Sequence, residues 1–249
     1  MTPTLFLFDL DGTIHRGRQA LPHAGMVVTE LLRAGKSVRY FTNNSAARPI
    51  QVSAFLNHLG VPCKQDWVFT TGVLAADQCS ERGYERVLLV GEEAFAQTLR
   101  DKGIEPTNER PDAVVVGICR TISYELLDRA SAAIRDGLPF LATNRDATYP
   151  LESGRLQPGA GAIVAAIEVA SGMEPEVLGK PNPALARLAI ESAGTEADQT
   201  VVVGDRLDTD IACGQAAGCQ TYLVLTGVET QLDAGQAGGP DLRGLLSLQ

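Results

Sequence analysis

Seven short apolar or β-branched runs punctuate the chain, each followed by turn-forming or polar residues: Leu5–Phe8, Val38–Phe41, Val87–Val90, Ala113–Val116, Pro139–Ala142, Val201–Val203 and Thr221–Leu225. Runs this short, with little polar alternation, predict strands buried on both faces. Helix-period segments fall between several of them, at Ala24–Ala34, Glu125–Arg135, Ala162–Ala170 and Pro183–Ala193. Strand alternating with helix predicts an α/β fold, a Rossmann-like doubly wound parallel sheet with helices on both faces. The Ala- and Gly-rich stretch from Glu229 to Gln249 is expected to form a loosely held final helix.

A chain of 249 residues accommodates one large or two small domains, and 45% hydrophobic with 20% charged residues is the balance of a globular protein. The longest apolar stretches have strand length, well short of the ~18 residues of a membrane-spanning helix. Met1 to Asp9 shows neither the basic start nor the cleavage site of a signal peptide, so a cytoplasmic protein with no membrane partner is expected. Thirty acidic against 21 basic residues give a formal charge of −9. No run of Lys or Arg forms a compensating patch, which argues against a nucleic acid polymer as partner. The five cysteines are scattered without a C-x-x-C pair and fit neither a disulfide framework nor a zinc site. His15, His23 and His58 have no metal-ligand spacing and are read as surface or core residues, and Trp67 as packing.

In open α/β sheets ligands bind beyond the carboxyl ends of the strands, so chemistry is expected in the residues just after each run. After Leu5–Phe8 come Asp9-Leu10-Asp11-Gly12-Thr13, and the i, i+2 spacing puts both carboxylates on one side of an extended chain. One can bind a hard cation and act as nucleophile while its neighbour exchanges protons. A plain Asp-Gly turn capped by Asp11 is the alternative, and the buried strand ahead of the pair weighs against it. After Val38–Phe41 come Thr42-Asn43-Asn44-Ser45, a hydroxyl and an amide near a helix start that suits a phosphate, or an ordinary N-cap or Asx-turn. Lys180 stands between Gly179 and Pro181, at a turn that fixes where its ammonium points. After Val201–Val203, Gly204 to Asp210 places Asp205, Asp208 and Asp210 in six residues. Such carboxylates repel unless a cation or hydrogen bonds hold them, and Mg²⁺ would take one or two, keeping waters and a substrate phosphate as other ligands. Asp208 is read as an acid at a helix N-terminus.

In this order the motifs resemble the haloacid dehalogenase (HAD) superfamily, whose phosphatases show D-x-D-G-T, a Ser or Thr after a second strand, a Lys, and G-D-x-x-x-x-D. With Thr143-Asn144-Arg145-Asp146, Pro150 and Pro158-Gly159-Ala160-Gly161 added, the chain looks like subclass IIA. This is the NagD-like branch of nitrophenyl phosphate, pyridoxal phosphate, phosphoglycolate and nucleotide phosphatases, and the resemblance covers nearly the whole chain. It implies a HAD-like catalytic core of residues 1–77 and 178–249, split by an inserted α/β cap domain at 78–177. The stretch from Thr42 to Lys180, far longer than one crossover needs, agrees with such an insertion.

The resemblance further implies a Mg²⁺-dependent phosphatase acting on small phosphate monoesters (sugar phosphate, nucleoside monophosphate, pyridoxal phosphate, phosphoglycolate or nitrophenyl phosphate) through an aspartyl phosphate. Asp9 would be the nucleophile and Asp11 the acid and then the base. Mg²⁺ would be held by Asp9, the backbone carbonyl of Asp11 and Asp205, with Asp210 orienting the set. Thr42, Asn43 and Lys180 would hold the phosphoryl oxygens. On the cap loop Thr143 to Pro150, Asn144 and Asp146 would hydrogen-bond the leaving group and Arg145 would meet an anion, unless the N-x-D pattern only stabilises its own turn. A homodimer through the cap is the family expectation. The Pro158 to Gly161 segment lacks G-x-G-x-x-G spacing and is read as a turn into a helix. Two alternatives stand beside this reading: a phosphoryl-accepting receiver-like module, which needs about half this length, and a phosphotransferase or phosphomutase on the same fold. A phosphomutase cap typically sits between the first two motifs, where this chain has only about thirty residues, enough for one crossover helix.

Overall fold

A computed structural model describes residues 2–151 and 155–248. Six parallel strands form the larger sheet in the order Gly238–Gly239, Gln220–Val224, Thr200–Gly204, Leu5–Phe8, Ser37–Thr42 and Val68–Thr70. Leu5–Phe8 is central and wholly buried. Its side chains alternate between faces: Phe6 and Phe8 enter one core cluster and Leu7 the other, which is why the run carries no polar residue. Helices Ala24–Arg33 and Pro49–His58 cover the first face with Val27, Val28, Leu31, Val52 and Leu56. Thr71–Glu81 and Ala184–Ala193 cover the second with Leu74, Ala75, Leu185 and Ala189.

The chain between residues 86 and 177 builds a second parallel sheet, ordered Glu176–Val177, Phe140–Ala142, Ala113–Val116, Arg86–Val90 and Glu105–Pro106. Helices Tyr124–Arg135 and Ala160–Ser171 pack on one face with Ile134, Val164 and Ile167. On the other face Phe95 and Leu99 of helix Glu93–Asp101 join a cluster that also contains Leu7 and Phe41 of the larger sheet, so the two sheets share one apolar seam. Among the described residues no helix is long and apolar enough to cross a membrane.

Each of the seven predicted strands and the four helix-period segments between them has an observed counterpart whose ends lie within two residues of those expected. Pro158 to Gly161 is indeed an entry turn, with Gly159 as the N-cap of Ala160–Ser171. A Cβ on Gly159 or Gly161 would lie 2.2 Å from the Asp146 carbonyl oxygen or 2.3 Å from that of Arg145, so these glycines let the helix start abut the 143–146 loop. The tail departs from expectation. Gly238–Gly239 adds an edge strand to Gln220–Val224, and a 3-10 helix at Leu242–Leu248 buries Leu242 and Leu245 in the core beside Tyr222. Docking of those two leucines replaces the loose α-helix. Gln249, the last residue of that expected helix, lies outside the described residues.

Candidate active site

The carboxyl edge of the larger sheet gathers the acids. Leu5–Phe8 delivers Asp9 and Thr200–Gly204 delivers Asp205, because the two strands are hydrogen-bonded neighbours ending at the same level, Phe8 opposite Val203. A turn of π-helix, Leu207–Ile211, then brings Asp210 back. One carboxylate oxygen from each of Asp9, Asp205 and Asp210 lies within 4.8 Å of the others, and all three residues are buried. Lys180 Nζ reaches into the group, 2.5 Å from Asp9 Oδ1 and 2.6 Å from Asp210 Oδ1. Burial works against the charge of this lysine, but Asp210 and Asp9 outweigh it and hold the ammonium charged. Burial pushes the Asp9 carboxyl well up, with the Asp210 charge adding and Lys180 opposing. Asp205 is pushed up to about 7, by burial first and Asp210 second.

One ammonium cannot balance three buried carboxylates. Asp210 is otherwise satisfied, its Oδ2 accepting the backbone N–H groups of Asp205 and Arg206 at 3.2 Å each. Asp205 Oδ2 accepts from Val228 N–H at 2.7 Å, yet Asp205 Oδ1 is buried and has no partner among the described residues. An orphaned carboxylate oxygen beside two more carboxylates is an all-oxygen donor set suited to a hard divalent cation. Gly12 makes room for the Asp205 carboxylate: its φ is +89°, and a Cβ there would fall 2.5 Å from Asp205 Oδ2.

Thr42 ends its strand buried, with Oγ1 accepting from Asn44 N–H at 3.1 Å and its own hydrogen free to donate. Asn43 lines the same cavity. Its side-chain amide accepts from Lys180 N–H at 2.9 Å and donates to the Lys180 carbonyl at 3.2 Å and to Asp146 Oδ2 at 3.1 Å. That amide therefore grips the Lys180 backbone and the 143–146 loop. Asn144 is likewise committed: its Nδ2 donates to the Asn43 carbonyl at 2.8 Å and its Oδ1 accepts from Asp146 N–H at 3.0 Å, which is the turn-stabilising alternative. Arg145 pairs with Glu168 at 2.9 Å and does not line the cavity. Asp146 does line it, and burial pushes its carboxyl up against the opposing hydrogen bond from Asn43. Asp208 is exposed and paired with Arg206 at 2.7 Å, apart from the acid cluster.

Over these groups opens a cavity of about 870 Å³. Its walls also include Phe55, Ile118, Arg120, Tyr149 and Leu156. No sequence motif marks Arg120, although it comes soon after the Ala113–Val116 strand, where the strand-end rule also applies. Its Nε donates to Tyr149 Oη at 3.0 Å and its Nη1 to Glu92 at 2.7 Å. His15 also lines the cavity, and its separation of four residues from Asp11 in a tight turn is the only sequence signal for it.

Comparison with known proteins bears on the same residues. The family of haloacid dehalogenase-like hydrolases matches residues 6–105, and a second family, described as HAD-hydrolase-like, matches residues 177–243. The 5'-nucleotidase YutF of Bacillus subtilis (strain 168) is 37% identical over 224 residues, 90% of this chain and 87% of that protein. The p-nitrophenyl phosphatase from Archaeoglobus fulgidus superposes with a TM-score of 0.92 at 30% identity, covering 100% of both chains. A glycerol phosphate phosphatase from Mycobacterium tuberculosis, solved in complex with magnesium, gives a TM-score of 0.88 at 38% identity over 98% of this chain and 76% of that one. With these matches and the acid cluster together, the chain belongs to the haloacid dehalogenase-like hydrolases, as a NagD-like phosphatase of phosphoric monoesters.

Proposed function

We propose that the protein is a Mg²⁺-dependent phosphatase of small phosphate monoesters that works through an aspartyl phosphate on Asp9. The observation that carries this reading is the buried Asp9, Asp205 and Asp210 set around one ammonium, with an orphaned Asp205 oxygen, at the foot of a large cavity. Asp9, Asp205 and the Asp11 carbonyl would hold the cation, which when bound screens the phosphate charge and polarises its oxygens. An Asp9 oxygen bonds to phosphorus as the ester P–O bond breaks, and Asp11 passes its proton to the leaving oxygen. Water then attacks phosphorus, the Asp9–phosphorus bond breaks, and Asp11 takes the proton that water sheds. Lys180 has three N–H donors, of which Asp9 and Asp210 take two, and the third serves a phosphoryl oxygen together with the Thr42 hydroxyl. Asp210 holds the 205–206 backbone and Lys180 in register.

In this reading residues 78–177 are the cap and residues 1–77 with 178–249 the catalytic core. Asp146, Arg120 and Tyr149 face the leaving group from the cap side, which the shared cavity supports. The reading includes a cytoplasmic location and self-association through the cap, for which exposed Tyr124, Val169 and Met173 offer apolar surface. Phosphate release from sugar phosphates, nucleoside monophosphates, pyridoxal phosphate, phosphoglycolate and nitrophenyl phosphate, with and without Mg²⁺, tests it. Turnover of at least one substrate only with the cation is expected, and Asp9→Asn should abolish it in a folded protein. Asp9→Asn at the wild-type rate would sink the nucleophile assignment.

A further inference from the structure

His15 is 7% exposed, and among the described residues its buried Nδ1 has no hydrogen-bond partner. Asp11 Oδ1 stands 3.7 Å from that nitrogen, beyond the roughly 2.7–3.2 Å of an N–H···O bond. Backbone hydrogen bonds on either side hold the His15 main chain. The amides of Thr13, Ile14 and His15 all donate to the Leu10 carbonyl at 3.3, 2.9 and 3.0 Å, and Gly12 N–H donates to the His15 carbonyl at 2.8 Å. Phe55 meets the imidazole edge-on, with centroids 5.1 Å apart at 88°. The Asp11 side chain, by contrast, is 47% exposed at the cavity wall. Rotation of its carboxyl group would close the gap, and such contacts commonly tighten when substrate binds.

We propose that His15 is the positioning residue for Asp11: its Nδ1–H donates to one Asp11 oxygen and so fixes the other, proton-bearing oxygen toward the leaving group. This rests on Asp11 acting as the general acid. The proton balance is unchanged by His15. As the Asp9–phosphorus bond forms and the ester P–O bond breaks, the Asp11 proton moves to the ester oxygen, while the imidazole keeps its N–H throughout. A histidine that merely fills space beside Phe55 would have no bearing on which substrates need the acid.

That difference defines the experiment. In the presence of Mg²⁺, kcat/KM is measured for a series of aryl phosphates of similar shape, from nitrophenyl phosphate to phenyl phosphate, whose leaving phenols are progressively poorer. His15→Phe keeps a ring against Phe55 and removes the donor. It is expected to lose about 10- to 100-fold on phenyl phosphate and less than about threefold on nitrophenyl phosphate, which leaves without help. His15→Asn carries a side-chain N–H at the position of Nδ1 and should recover most of the phenyl phosphate rate. The ratio between substrates is independent of the folded fraction. Equal losses on both substrates, or no rescue by His15→Asn, would overturn the proposal. Asp11→Asn separates the two layers. If it shows the steep leaving-group dependence and His15→Phe does not, only the role of His15 falls. If Asp11→Asn shows none, the general-acid reading falls and takes this one with it.

Discussion

Removing the divalent cation should destabilise the fold, and by an amount that depends on pH in a direction set by Asp205. Its carboxyl is raised to about 7 in the folded, metal-free protein, against about 3.9 for an unperturbed aspartate. Between those values the folded state holds a proton that the unfolded chain has released. The stabilisation this brings to the metal-free protein is present at low pH and lost as pH rises through about 7. A cation must displace that proton, so its affinity falls about tenfold for each pH unit below 7. At pH 5 the loss relative to the fully ionised carboxylate is about 100-fold, or about 3 kcal/mol of metal-linked stability. For a chain of this size that is about 6–12 °C in Tm. The assay is thermal unfolding at pH 5 and pH 7.5, each with EDTA and with a fixed Mg²⁺ concentration that saturates at the higher pH. Taking the Mg²⁺-induced gain at each pH cancels every group the cation does not touch. The gain should be larger at pH 7.5, and Asp205→Asn should shrink the difference without abolishing it, because the Asp9 carboxyl on the same cation is also raised. Equal gains at both pH values, or a larger one at pH 5, would refute the reasoning.

Lys180→Met leaves the Asp9 and Asp210 carboxylates facing each other in a buried site, which costs about 3–5 kcal/mol in EDTA; a urea titration showing less than about 1 kcal/mol would contradict this. Asn43→Ala deserts the Lys180 backbone and Asp146 at once, each buried partner left unpaired costing about 1–3 kcal/mol, and should speed amide exchange across residues 143–146. Unchanged exchange there would show that the side chain is not what joins the two segments.

The strands are readable because parallel strands covered on both faces need apolar side chains at every position, as Leu5–Phe8 and Ala113–Val116 illustrate. Helix Pro49–His58 is not, since its buried positions are Val52, Ser53 and Leu56 and the intervening residues set up only a weak stripe. The docked tail depends on contacts between Leu242, Leu245 and distant core residues, which local pattern does not encode. At the site, the placement of Asp9, Asp205 and Lys180 comes from chain spacing at strand ends. The direction of Arg145 does not, because a loop pattern says nothing about a partner such as Glu168 on a later helix. The engagement of Asn43 with Lys180 requires knowing that residues 137 positions apart meet.

The division of the cavity between two sheets separates what varies from what cannot. The groups proposed to act at phosphorus sit on the carboxyl edge of the larger sheet, while Ile118, Arg120, Tyr149 and Leu156 across the cavity come from the segment that carries the smaller one. On the proposed function, substitutions on that far wall would change which ester is accepted while leaving the groups at phosphorus in place, which is the arrangement a lineage needs to recruit one chemistry for many metabolites. Asn43 sets the limit of that freedom. Because one amide holds both the Lys180 backbone and Asp146, drift in the 143–146 loop acts on the ammonium as well. New specificities therefore have an easier route through the Arg120 side of the cavity than through the Asp146 side.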